Sequence, residues 1–179
     1  MVRRPSLPMS GGCVCGRHRY TITVLPLTVY ACHCADCQTQ SGSAFGMSMP
    51  VARSGFRVTG AEDLGTHLRA AASGRTVAGR FCTTCGTRIF HEPSRNPPIV
   101  NVKPGTLDDT SWLEPMGHLW VDSAQRWVAP ADGTLIYPGQ PPAFDDLYRR
   151  FAAAMAARPP EPRAPSAGRM RGAPPAPGT

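Results

Sequence analysis

The sequence predicts a mostly β domain, and three observations carry that prediction. Short stretches alternate apolar and polar residues with period two, and turn residues punctuate them at close intervals. Only one stretch, 145–157, has the apolar spacing of a helix. The 179 residues make one domain's worth of chain, long enough to bury a core.

Tyr20, Ile22 and Val24 alternate with Thr21 and Thr23, so 17–24 reads as a strand. Pro26 marks a turn, and Val29 to Ala31 starts a second strand that feeds Cys32. Phe45, Met47 and Met49 alternate with small residues as a third. Pro50 to Gly55 reads as a loop or single helical turn, and Phe56 to Val58 resumes extended structure. Leu64 to Arg69 and Thr76 to Phe81 flank Ser73-Gly74 as the arms of a hairpin. Arg88 to His91, Ile99 to Val102 and Gly117 to Val121 complete the strands, with Pro97-Pro98 and Pro104-Gly105 as breaks between them. Trp112, Trp120 and Trp127 are expected in the core or on cavity walls. In the helix, Leu147, Phe151 and Met155 fall at i, i+4 and i+8. Asp145 and Asp146 suit its first turn and Arg158 its end. Pro159-Pro160 stops it.

These readings divide the chain into a flexible leader at 1–9, a metal-binding domain at 10–138, a linker with the helix at 139–158, and a tail at 159–179. The tail is rich in Pro, Ala and Arg and is expected to be disordered, because it has too little apolar surface to offset its ordering entropy. No apolar run approaches the length of a membrane span, and the N-terminus has no secretory apolar segment. A soluble, cytoplasmic protein is the expectation.

The seven cysteines carry the chemistry, and every one belongs to a short cluster. Cys13-Val-Cys15 and Cys82-Thr-Thr-Cys85 are pairs; Cys32, Cys34 and Cys37 form a triplet. An odd count without a secretory segment disfavours disulfides. Inert buried thiols have no reason to adopt such spacing. Iron–sulfur ligation stays open for four of them, but zinc is the stronger reading. Zinc takes four protein ligands in a structural site and three plus an open position in a catalytic one. Two pairs and a triplet divide as four and three, hence two zinc ions per chain. In extended chain, positions i and i+2 face the same way, so Cys13 with Cys15, and Cys32 with Cys34, can each share a metal. Which pairs combine is left open by the spacing; Cys32 and Cys34 could equally join Cys82 and Cys85.

The charge is +7 overall. Residues 1–157 hold 15 Lys and Arg against 11 Asp and Glu, a balance of +4. Seven thiolates and two divalent ions add −7 + 4 = −3, which leaves the metallated domain nearly neutral. The electrostatic case for nucleic acid largely disappears with it.

Five ordered motifs resemble the glutathione-dependent formaldehyde-activating enzyme family, which also includes centromere protein V. They are Gly11-Gly-Cys-Val-Cys-Gly16; Cys32-His-Cys-Ala-Asp-Cys37 with Ser41-Gly-Ser-Ala-Phe45; Arg80-Phe-Cys-Thr-Thr-Cys-Gly-Thr-Arg-Ile-Phe90; Pro104-Gly-Thr-Leu-Asp-Asp109; and His118-Leu-Trp-Val-Asp-Ser123. The resemblance implies a β-tent fold, with folded antiparallel sheets pinned by a structural zinc on Cys13, Cys15, Cys82 and Cys85. It implies a catalytic zinc on Cys32, Cys34 and Cys37, and a carbon–sulfur lyase activity that joins glutathione to formaldehyde as S-(hydroxymethyl)glutathione.

Three thiolates on one Zn²⁺ leave a charge of −1, a poor Lewis acid but a suitable holder for a further thiolate. Proton transfer needs an acid or base near it, for which His118 and Asp122 are the candidates. His33 is expected in a pocket or at the surface, Asp36 as a turn residue, and Ser41 and Ser43 as hydrogen-bond donors to the sulfurs. Arg17, Arg19 and Arg88 are candidate contacts for an anionic peptide thiol. Two other classes compete: a zinc-stabilised interaction module without catalysis, and a thiol redox or metal-handling protein.

Overall fold

The computed structural model describes residues 4–71, 74 and 76–159. In chain order its strands and helices are β1 (Met9–Gly12), β2 (Arg19–Ile22), β3 (Tyr30–Cys32), α1 (Ala35–Ser41), β4 (Gly46–Ala52), β5 (Phe56–Val58), β6 (Leu64–Ala70), β7 (Thr76–Cys82), β8 (Arg88–Pro93), β9 (Ile99–Val102), β10 (Gly117–Leu119), β11 (Leu135–Tyr137) and α2 (Asp145–Ala157). The fold is mostly β, as the period-two alternation requires. Among the described residues, no helix is long and apolar enough to cross a membrane.

The strands form two sheets. One has three strands in the order β1-β2-β5; the other has eight, in the order β11-β10-β3-β4-β9-β8-β7-β6. Pairing is antiparallel except at β10, which runs parallel to β3 and β11. A single bridge, Gly11 to Leu107, links β1 to the loop after β9. One continuous core fills the space between, built from side chains such as Ile22, Met49, Val51, Ile89, Val100 and Leu119. The strand alternation is visible in the burial: Tyr20 and Ile22 are buried while Thr21 and Thr23 are exposed.

Several expectations need correction. The flexible leader expected at 1–9 is anchored within its described part: Arg4 N–H donates to Pro159 O, Pro5 is buried, and Met9 opens β1 and is buried. Pairing with β2 holds this Gly-rich strand, which has no alternation of its own to announce it. Pro50 lies inside β4, and the short turn follows at Arg53–Gly55. A second α-helix, α1, stands where only a turn was expected; none of its residues is buried, so it has no apolar stripe to detect. Trp112 is buried and Trp120 lines a cavity, but Trp127 is 75% exposed. The tail at 159–179 lies outside the described residues except for Pro159.

Helix α2 buries Leu147, Phe151 and Met155, the predicted stripe. Gly117 of β10 makes room for it: a Cβ there would lie 2.6 Å from Leu147 Cδ2 and 3.0 Å from Leu135 O. Gly117→Val should therefore push α2 off the sheet, at a cost of about 1–3 kcal/mol for overpacking. A melting temperature lowered by roughly 5 °C is the expected reading in a thermal melt. An unchanged melt would show that the helix is not seated against this strand.

Candidate metal centres and cavity

The seven cysteines are all free thiols, and the fold gathers them into two clusters: Cys13, Cys15, Cys82 and Cys85, and Cys32, Cys34 and Cys37. Within each cluster the sulfurs lie within 4.8 Å of one another. This resolves the pairing that the spacing left open. A zinc–sulfur bond of about 2.3 Å sets a tetrahedron with edges of roughly 3.8 Å. The separations of 3.4 Å between Cys13 and Cys15, 3.7 Å between Cys15 and Cys82, and 3.5 Å between Cys32 and Cys34 fit that scale. Both clusters could bind a metal ion, and the donor set is consistent with zinc.

Two tight turns build the four-sulfur cluster. Gly16 and Gly86 adopt positive φ, +79° and +70°, after the paired cysteines. His18 N–H donates to Cys13 Sγ at 3.2 Å. Thr87 ties the two turns: its Oγ1 accepts from Val14 N–H at 3.2 Å and lies 3.2 Å from Cys85 Sγ. Cys13 follows β1 in the smaller sheet and Cys82 ends β7 in the larger. The cluster thus joins chain segments 67 residues apart at Cys15 and Cys82.

The three-sulfur cluster sits where β3 passes into α1. Cys34 is the residue before the helix, in extended conformation, and Cys37 returns on its first turn. Gly46 allows Cys37 to approach β4, since a Cβ there would be 3.2 Å from Cys37 Cβ. Hydrogen bonds from Cys32 and then Cys37 pull the Cys34 thiol down to about 2, and the same sulfur contacts push Cys32 up. One negative charge settles on Cys34 while Cys32 and Cys37 are held as thiols, and a bound cation would favour ionising all three.

These three cysteines line a cavity of about 570 Å³; the other four do not. Much of its remaining wall comes from β4, β6, β7, β8 and β9, with Tyr148 of α2 and Trp120 also in the lining. Among the described residues the charged lining is Arg69, Arg88, Arg95 and Lys103 against the carboxylate of Asp36. Asp36 is already paired with Arg69 at 2.6 Å. Burial lowers Arg88 below the usual guanidinium range, and brings Lys103 down to about 8, with Arg88 adding to the effect. Burial likewise holds His91 well below the ordinary imidazole value, and its Nδ1 is enclosed with no hydrogen-bond partner among the described residues.

The structure separates the other expected site residues. His118 is buried but does not line this cavity. Its neighbour Leu119 does, and alternation along β10 turns His118 away. His118 Nδ1 lies 2.8 Å from His33 Nε2, and the two rings stack at 5.1 Å. His33 is therefore a buried partner, neither pocket nor surface residue. Asp122 is exposed on the turn Val121–Ser123, outside the cavity wall. Ser41 Oγ donates to backbone oxygens, Cys37 O at 2.7 Å among them, rather than to a sulfur. Ser43 is exposed. Arg17 pairs with Asp63 at 3.3 Å and Arg19 with Asp108, so of the three arginines only Arg88 reaches the cavity.

Arg69, His91 and Lys103 were missed. They come from β6, β8 and the residue after β9, and no local pattern marks them. Lys103 alone had a signal: it is the single lysine of the sequence.

No curated protein matches the chain. A crystal structure of a Rhodobacter sphaeroides protein is similar with a TM-score of 0.46 and 22% identity, over 72% of this chain and 99% of that one. The profile of the glutathione-dependent formaldehyde-activating enzyme family matches residues 8–123, a stretch that holds all seven cysteines. That stretch is more than half of the chain, and on it the chain belongs to the glutathione-dependent formaldehyde-activating enzyme family.

Proposed function

We propose that this chain is a zinc-dependent enzyme of thiol–carbonyl chemistry, a carbon–sulfur lyase in class, acting on glutathione or a similar thiol and a small aldehyde such as formaldehyde. The observation that carries the reading is the placement of the sulfurs: three open onto a cation-lined cavity and four are held apart from it. On this reading two zinc ions bind, a structural one at Cys13, Cys15, Cys82 and Cys85 and a catalytic one at Cys32, Cys34 and Cys37. Bound at the three cysteines, zinc supplies a soft centre that favours the thiolate form of an incoming thiol.

The chain's own residues supply the rest. Arg88 and Arg95 offer charge to the carboxylates of an anionic peptide thiol, and Arg69 is held by Asp36 in the same cavity wall. Addition forms one carbon–sulfur bond as the carbonyl π bond breaks, and the oxygen gains a proton. The reverse step cleaves that bond. Because His118 and Asp122 lie outside the cavity, the proton is assigned to His91, which lines the cavity and is kept neutral by burial. The near-neutral metallated charge weighs against a nucleic-acid partner for the competing interaction-module reading.

The test is the rate of hemithioacetal formation from glutathione and formaldehyde, followed by exchange NMR against the uncatalysed background. Wild-type protein should accelerate it, and Cys34→Ser should remove the acceleration with far-UV circular dichroism unchanged. Arg88→Met should raise KM for glutathione about tenfold, equivalent to about 1.4 kcal/mol, and leave a neutral thiol such as 2-mercaptoethanol nearly unaffected. A wild-type protein that leaves the background rate unchanged would sink the enzymatic reading.

A further inference from the structure

Of the 19 Lys and Arg residues in the sequence, Lys103 is the only lysine. Every other strong cation is a guanidinium, which does not give up its proton in proteins and offers no nucleophilic nitrogen. The single amine side chain stands directly after β9, in the wall of the cavity that the three sulfurs share. It keeps accessible surface, and that surface faces the cavity.

Its surroundings are those of an amine kept available. Nζ donates to Ser48 Oγ at 3.2 Å and more weakly to Met47 O at 3.5 Å, both neutral oxygens. Among the described residues the one carboxylate of the cavity wall, Asp36, is taken by Arg69. An ammonium offers three donors, and these two oxygens account for two of them. The enclosed position beside Arg88 disfavours the charged form and leaves the amine neutral in about a tenth of molecules near pH 7. Lysines made nucleophilic elsewhere use the same two devices, desolvation and a neighbouring cation.

We propose that Lys103 Nζ is an aldehyde-docking nucleophile: it captures a small aldehyde as a reversible amino alcohol beside Cys32, Cys34 and Cys37. The inference rests on the thiol–carbonyl reading above and adds a residue that holds the carbonyl partner. The nitrogen lone pair attacks the carbonyl carbon, a carbon–nitrogen bond forms, the π bond breaks, and the nitrogen proton passes to the oxygen. Collapse reverses each change and returns the free aldehyde next to the thiolate. Nothing is oxidised or reduced, and no further reactant is consumed. Holding the aldehyde there replaces a chance encounter of two small molecules with a local one.

The uniqueness of the lysine makes the test direct. Full-length protein is mixed with limiting ¹³C-formaldehyde and cyanoborohydride. Loss of water from the amino alcohol gives an iminium ion, which hydride converts to a labelled methylamine located by peptide mass spectrometry. Lys103 in the folded protein should label on the order of 100-fold faster than in an N-acetylated peptide of residues 97–109, given the neutral fractions at a pKa of about 8 and about 10.4. Slower labelling in the protein than in the peptide would mean that the amine is shielded, and would overturn the proposal. Lys103→Arg keeps the charge and removes the nucleophile. It should abolish side-chain labelling and raise KM for formaldehyde about tenfold while KM for glutathione stays put. An unchanged formaldehyde KM in a folded Lys103→Arg protein would overturn the docking role. Labelling needs no variant, so it decides even if the substitution fails to fold. Labelling without acceleration of the thiol–aldehyde reaction would reject the lyase reading and keep the amine capture; acceleration without labelling would do the reverse.

Discussion

Cys85→Ser should leave a chain without a cooperative thermal melt, while Cys34→Ser should melt within a few degrees of the wild type. On the proposed assignment the first change breaks the four-sulfur centre. Structural zinc contributes an apparent 10–16 kcal/mol in small domains, and whole domains are stable by only about 5–15 kcal/mol. Losing a large part of the first number is comparable to the whole of the second. The geometry sharpens the expectation, because Cys13 and Cys15 leave the three-stranded sheet and Cys82 and Cys85 lie at the end of β7 in the eight-stranded one. Without the metal, the bridge from Gly11 to Leu107 and the shared core remain to hold the sheets together. Cys34, by contrast, precedes a helix with no buried residue, so little packing depends on it. A mild chelator should show the same inequality, removing about one zinc equivalent while the far-UV spectrum persists. Equal loss of melting temperature in the two variants would show that the roles are wrongly divided.

A chain ending before Asp145 should be largely insoluble or unfolded. It would lose Leu147, Phe151 and Met155, at 0%, 2% and 3% exposure, and uncover the core they close. Each such side chain is worth about 1.5–3 kcal/mol, so the three together approach the net stability of a domain. A chain ending at Pro159 should behave as the full-length protein in melts and gel filtration. The placement of that second cut matters. Arg158, whose side chain is 11% exposed, pairs with Glu114 and donates to Trp112 O at 3.1 Å; Pro159 O accepts from Arg4 N–H at 3.0 Å. Cutting after Ala157, where the helix pattern stops, would remove these ties and cost on the order of 1–2 kcal/mol. If the chain ending at Pro159 melted several degrees low, residues 160–179 would belong to the fold.

Much of the architecture was legible because its signals are local. Tyr20, Ile22 and Val24 against Thr21 and Thr23 specify one strand, and the Leu147, Phe151 and Met155 stripe specifies α2, through periods of two and 3.6 that need no distant partner. The short cysteine spacings already required a division into metal-sized groups. What local pattern cannot supply is register. His118 and Leu119 are adjacent, and only the pairing of Gly117 with Tyr30 and Leu119 with Cys32 decides which of them faces the cavity. It is Leu119; His118 faces the other side of the sheet and Asp122 lies on the exposed turn that follows. Strand β11 pairs parallel with β10 after a long connection, and β1 is held by β2, so neither announced itself. By itself the sequence determined which residues can bind a metal, because donor type and spacing are chemical facts of the chain. Only the tertiary structure decided which four sulfurs meet and which three open onto a cavity. It alone put Arg69, His91 and Lys103 around them, because those residues reach one site through pairings among β4, β6, β7, β8 and β9 that are long-range in sequence.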